Sequence, residues 1–216
     1  MKIALYIVSI LLSLSCTKLG KNIYVSGRVV NPVTNKGIPN IEVELLKPSK
    51  TLALSSGFTG VKSVYTDSDG RFEISRLGGV KSYTIAVRLP VDMYSIGWLT
   101  DLGYNLQDLG VKKGKKMNVD YHAVPYGELN SHVENINCAG VTDSMQLRKK
   151  YQFSDWDSYW SPYKIGCYNN TSITPTIFPM GYYYSETKVT RAGITTYIYD
   201  TVFVSENGIS FLEVLY

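Results

Sequence analysis

Ile23-Tyr24-Val25-Ser26-Gly27-Arg28-Val29 decides the reading of the fold. Small or apolar residues recur at every second position with Tyr24, Ser26 and Arg28 between them, the period of two that a half-buried strand requires. Ile41, Val43 and Leu45 alternate with Glu42 and Glu44 in the same way. Between these runs, Asn31-Pro32, Asn35-Lys36-Gly37 and Pro39-Asn40 provide the fixed and positive φ values of a connection. Further out, Val64 to Thr66, Phe72 to Ile74, and Tyr83, Ile85, Val87 and Leu89 repeat the pattern, with Asp67-Ser68-Asp69-Gly70 as a turn. Met117, Val119 and Tyr121 then face one way while Asn118, Asp120 and His122 face the other. Short strands separated by Gly, Pro and Asp turns, with no convincing amphipathic helix, predict an all-β sandwich.

The remainder of the chain is long enough for a second sandwich. Leu129, Ser131 and Val133, Met145 and Leu147, Tyr197 to Phe203, and Ile209 and Phe211 show the same alternation. Val189 to Gly193 followed by Asp200 to Val204 reads as a hairpin with a further strand after it, and Pro125-Tyr126-Gly127 reads as a hinge. The expected organisation is therefore two tandem β-sandwich domains, immunoglobulin-like or prealbumin-like with Greek-key connections, over residues 22–124 and 125–216.

Composition excludes several classes. The 216 residues hold 22 Lys+Arg against 18 Asp+Glu, 19% charged and 44% hydrophobic, which is a globular and not a disordered profile. A net charge of +4 spread this thinly predicts no nucleic-acid partner.

Met1-Lys2 and the apolar run Ile3 to Leu14 form a leader too short for the ~20 residues of a membrane-spanning helix. Leu12-Ser13-Leu14-Ser15-Cys16 resembles the lipobox of bacterial lipoproteins. That resemblance implies a signal peptide over 1–15, an acylated Cys16 as the membrane anchor and a tether over 16–21. An ordinary secretory peptide with a leftover thiol is the other reading. Thr17 after Cys16 resembles the sorting signal for an outer membrane, and leaves periplasmic and external faces both open. In an oxidising compartment Cys138 and Cys167 are the remaining pair, so a disulfide is expected, with two buried thiols or a metal pair as alternatives. Closing that roughly 30-residue loop would add about 3–4 kcal/mol in the chain-entropy model.

Four segments in order, Val25-Ser26-Gly27-Arg28-Val29-Val30, Gly37-Ile38-Pro39-Asn40-Ile41-Glu42-Val43, Tyr65 to Phe72 and Tyr83 to Val87, resemble the carboxypeptidase-regulatory-like (transthyretin-like, Cna-B-like) sandwich. The resemblance covers residues 22–124 and implies a seven-stranded Greek-key module with a structural or accessory role. The peptidase linked to that family would need a His-x-x-Glu zinc pair, and neither His122 nor His132 has Glu three residues on. The C-terminal Tyr-Arg-Gly-Ser signature of the transthyretin-fold hydrolases does not match Phe211 to Tyr216 either, so a non-enzyme without cofactor or metal is expected.

Tyr151, Phe153, Trp156, Tyr159, Trp160, Tyr163 and Tyr168 are interleaved with Asp155 and Asp157 inside the expected disulfide loop. Rings beside carboxylates suit a sugar or peptide groove, so Trp156, Trp160, Tyr159, Asp155 and Asp157 are the candidate ligand residues. The same rings would equally fill a core and cover a sheet edge. Asp67 and Asp69 read as a turn and not a calcium loop, because Gly78 stands where the bidentate carboxylate would be. His122 and His132 read as solvated, and Lys112-Lys113-Gly114-Lys115-Lys116 as a solvated tip, with contact to anionic headgroups near the anchor as the other reading. Three functions follow: an envelope accessory or adhesion-type module binding protein or glycan, a structural spacer, and a hydrolase around Asp155 and Asp157.

Overall fold

Chain order in the computed structural model, which describes residues 21–49, 57–79, 81–105 and 108–216, begins with eleven strands. They are β1 (Asn22–Asn31), β2 (Lys36–Gly37), β3 (Glu42–Pro48), β4 (Phe58–Tyr65), β5 (Arg71–Leu77), β6 (Tyr83–Arg88), β7 (Met93–Thr100), β8 (Gly103–Asn105), β9 (Leu109–Val111), β10 (Lys116–Asn118) and β11 (Tyr121–Glu134). Seven more follow: β12 (Ser144–Tyr151), β13 (Lys164–Ile165), β14 (Asn169–Thr171), β15 (Thr176–Pro179), β16 (Gly181–Arg191), β17 (Ile194–Val204) and β18 (Ile209–Leu215). Among the described residues there is no helix, and the protein is all-β. The expected signal peptide and Cys16 lie outside the described residues.

The chain divides into two compact units, one running to Val91 and adding Ser95–Ala123, the other formed by Asp92–Tyr94 and Val124–Tyr216. In the first unit β1 is flanked by β5 antiparallel and by β10 parallel, and β3 lies between β4 and β6 with β9 outside β6. The alternation works as read: Ile23, Val25 and Val29 are buried on one sheet and Val43, Leu45 and Ile85 on the other. Trp98, 1% exposed, meets Phe72 and Tyr121 edge-on in this core. Gly27 is required by proximity, since a Cβ there would stand 1.7 Å from the carbonyl oxygen of Val119. That crowding follows from an irregularity at Val119 and Asp120, where the expected continuous strand breaks into β10 and β11. Val119 N–H donates to Ser26 O at 3.0 Å and Asp120 Oδ1 accepts from Arg28 N at 2.9 Å.

In the second unit β11 pairs parallel with β18 and antiparallel with β14 and β15, while β13, β12, β16 and β17 form an antiparallel sheet in that order. Leu129, Met145, Tyr183, Val189, Val204, Leu212 and Val214 make the core. The expected hairpin is the β16–β17 pair, closed through Ala192 (φ 45°) and Gly193 (φ 79°). Pro125-Tyr126-Gly127 is strand and not loop. These residues lie within β11, where Tyr126 and Gly127 pair with Pro179 and Phe178 and Pro125 O accepts from Met180 N at 2.8 Å.

Cys138 and Cys167 form a disulfide, with Cα atoms 5.1 Å apart. It staples two turns around the side chain of Asp143, which is 0% exposed. That carboxylate accepts from Ala139 N at 2.9 Å and Asn135 Nδ2 at 3.1 Å, with Arg191 Nε at 3.6 Å. The Ala139 N–H, then the Asn135 amide, hold its pKa below the ordinary carboxylate value. A depressed folded pKa contributes stability that is fully present above the unfolded value and is lost as pH falls through the folded one. Asp143→Asn should therefore lower the urea midpoint at neutral pH by an amount that stays level down to about pH 4 and shrinks below it; a gap independent of pH would contradict this account.

Candidate functional site

The outer face of the β12–β16–β17 sheet gathers the chemistry of the second unit. With Met145, Tyr151, Tyr183 and Val189 facing the core, alternation turns Gln146, Arg148 and Lys150 of β12 outward, with Tyr182, Tyr184, Glu186 and Lys188 of β16. Register then places Arg148 opposite Glu186 and Glu186 opposite Tyr199. Arg148 donates from Nε and Nη2 to Glu186 Oε2, and the Tyr199 hydroxyl donates to Glu186 Oε1 at 3.1 Å. Glu186 is 8% exposed although it faces away from the core. The hydrogen bond to Glu186, reinforced by desolvation, pushes the Tyr199 pKa up.

The aromatic stretch supplies the cover. Residues 152–163 run along the edge of β12: Ser161 N–H donates to Leu147 O at 2.8 Å, Ser161 Oγ accepts from Leu147 N at 2.9 Å, and Asp157 N–H donates to Lys149 O at 2.8 Å. This occupies a strand edge that would otherwise be open to pairing. It also brings Trp156 and Trp160 over Arg148, whose guanidinium carbon lies 5.2 and 4.7 Å from the two ring centroids. Such contacts add about 0.5–2 kcal/mol each, more as the cation is desolvated.

The stretch therefore splits three ways. Tyr151 and Phe153 belong to the core, where Tyr151 stacks on Tyr183 at 4.8 Å and donates its hydroxyl to Met180 O at 2.6 Å. Trp156 and Trp160, first among the candidate ligand residues, are half-buried, with Arg148 lying against both. Tyr159, 86% exposed, and Tyr163 face solvent. Asp157 Oδ2 accepts from Lys149 N at 3.2 Å, and Asp155 is exposed. Lys149 is half-buried beside Phe178, and desolvation pushes its pKa down, partly offset by Asp157.

Sequence reasoning missed Arg148, Glu186 and the tyrosines beside them. Tyr199 is 66% and Tyr197 50% exposed, and Tyr182 and Tyr184 are also exposed. Their signal was the spacing of two in Tyr182/Tyr184 and Tyr197/Tyr199, which places each pair on one strand face. The partnering of Arg148 with Glu186 needed the register. A shallow groove of about 360 Å3 lies among Lys150, Gln152, Trp156, Tyr184, Tyr199 and Thr201.

The remaining candidates are tied into the fold. Asp67 Oδ1 accepts from Asp69 N and Arg71 N at 2.9 and 2.8 Å, a side-chain cap on the turn. The histidines are not freely solvated: His122 Nδ1 shares a 2.9 Å hydrogen bond with Tyr104, and His132 bonds Thr171 and Glu134 at 2.8 and 3.0 Å. Among the described residues no group of three or more His, Cys, Asp or Glu stands where it could hold a metal.

No family model and no curated protein matches the chain. Among solved structures it is similar to the Bacillus anthracis TIE protein at TM-score 0.37 and 14% identity, over 91% of this chain and 34% of that one. It is similar to a streptococcal ancillary pilin at TM-score 0.31 and 14% identity, over 90% and 62%. A DUF3823 family protein from Parabacteroides merdae is similar at TM-score 0.29 and 15% identity, over 86% and 99%. The chain thus spans about a third of the first protein's length and 62% of the second's. Likeness at this level carries no argument about function.

The Arg148–Glu186 pair has a measurable consequence. Arg148→Met leaves the Glu186 carboxylate under the loop without its cation and should cost about 2–3 kcal/mol in urea unfolding, less than a fully buried pair because Arg148 is partly exposed. Glu186→Gln, which keeps an acceptor for Tyr199 and removes the charge, should cost about 1 kcal/mol. Equal costs would contradict the pairing.

Proposed function

We propose that the chain is a lipid-anchored, non-catalytic protein of the cell envelope, held in the outer membrane through acylated Cys16, and that its second unit binds a protein partner. The docking face is the tyrosine-rich outer surface of β12, β16 and β17, with Trp156, Trp160 and Tyr159 at its rim. The observation that carries this reading is the exposure of Tyr182, Tyr184, Tyr197 and Tyr199 beside an arginine already locked by two tryptophans. Tyr, Trp and Arg are the side chains that dominate interface energetics, because they bury large area with little loss of rotamer freedom. The surface is an open sheet face with a shallow groove and no deep enclosure, which suits a protein better than a small molecule. Strand side chains held in register also start ordered, so less entropy is lost on docking. Asp157 is tied to β12 by its bond from Lys149 N and Asp155 is exposed, so a hydrolase has less support than a binding module; a spacer would have no use for exposed rings.

The anchor and the face are tested separately. Labelled palmitate should enter the wild-type chain and not Cys16→Ala, which should leave the membrane fraction; label in both would overturn the anchor. A photocrosslinking side chain at Tyr199 in producing cells should give a discrete protein adduct that Tyr182→Ser/Tyr197→Ser abolishes, while the same probe at exposed Tyr65 gives none. Identical products at both positions, or glycan-array binding that those substitutions abolish, would overturn the protein-docking reading.

A further inference from the structure

Lys112-Lys113-Gly114-Lys115-Lys116 is not an isolated solvated tip. Gly114 N–H donates to Asn22 O at 2.9 Å, and the Lys21 side chain lies so close that a Cβ on Gly114 would stand 2.9 Å from Lys21 Cδ. Gly78 N–H donates to Lys21 O at 3.1 Å, which brings the end of β5 to the same place. The fold thus gathers the lysine turn and Arg76 around the point where the chain enters the first unit. A groove of about 610 Å3 opens there, lined by Lys21, Arg76, Lys115 and Lys116 with exposed Leu77, and none of its described lining residues is acidic. The nearest acid on β5, Glu73, is engaged with the Tyr24 hydroxyl. Lys113 and Lys116 are held in place over the rings of Tyr83 and Tyr24 at 5.6 and 5.2 Å.

The distance to a bilayer follows from the covalent chain. Four residues separate Cys16 from Lys21, five chain steps with an extended reach of at most about 17 Å. Cations so tethered stand close enough to feel the surface field of an anionic membrane, which extends about 10 Å at moderate salt. Basic side chains in that layer each add attraction, and their alkyl stems, with Leu77, suit the boundary between headgroups and acyl chains.

We propose that this end of the first unit is a membrane-facing platform for anionic phospholipid headgroups, with Lys21, Arg76, Lys112, Lys115 and Lys116 as the contacting cations. It rests on the acylation of Cys16 only for the nearness of the bilayer, and it gives the lipid anchor a second, electrostatic contact that orients the unit.

The test uses the chain from Thr17, which keeps every described residue and carries no acyl group, sedimented with vesicles of phosphatidylcholine alone or mixed with phosphatidylglycerol. Binding is expected to the mixed vesicles and not the neutral ones, and should disappear at high salt. K112Q/K115Q/K116Q should weaken it at least about tenfold, while K36Q/K47Q/K164Q, with the same change in net charge, leaves most of it. Equal binding to both vesicles, no binding to either, or equal losses in the two triple variants would overturn the platform. Unfolding midpoints check that each variant is folded. Because no acyl chain is present, failure here is distinct from failure of palmitate labelling at Cys16.

Discussion

A carboxylate on the outside of a β-sheet normally keeps its water. Glu186 does not, and the surface of the second unit follows from that. Its charge is tolerated because Arg148 approaches from one neighbouring strand and Tyr199 from the other, in a register fixed by the β12–β16–β17 pairing. Arg148 in turn needs its guanidinium shielded on its faces, and Trp156 and Trp160 do this from a loop already hydrogen-bonded to the β12 edge. Charge pairing, ring contacts and edge cover thus support one another, and the neighbouring tyrosines are left as ordered, exposed rings.

The first unit depends on a different constraint, close backbone approach. β1 supplies alternating core residues on one face and two differently directed strand partners at its edges, and Gly27 lets the irregular Val119–Asp120 segment lie against it. That irregularity matters beyond packing. It ends the ladder carrying the lysine turn and starts β11, so the placement of the cations and the course of the longest strand share one cause.

Much of this organisation was legible in the residues. Period-two runs at Ile23–Val29 and Ile41–Leu45 located buried strands, because one buried face imposes alternation. The β16–β17 hairpin was visible at Val189–Gly193, and the disulfide followed from two cysteines in a chain expected to be exported. That Pro125-Tyr126-Gly127 lies within a strand was not legible, since proline and glycine fit there only where pairing leaves room for them. The aromatic stretch was ambiguous for a physical reason: its rings serve three environments, and only the way the loop folds back along the edge of β12 decides which ring meets Arg148. Glu186 had no local signal at all, since its burial comes from side chains 38 and 13 positions away.

The most direct measurement of the central claim is acrylamide quenching of tryptophan emission in the chain from Thr17, compared with its Arg148→Met variant. The protein has three tryptophans: Trp98, sealed in the first core, and the half-buried Trp156 and Trp160. The account predicts one shielded and two partly accessible emitters in the wild type, with the accessible pair quenched more strongly once Arg148 is lost and the shielded one unchanged. Identical quenching curves for the two proteins would contradict it, because the tryptophans would then be held by something other than the cation between them.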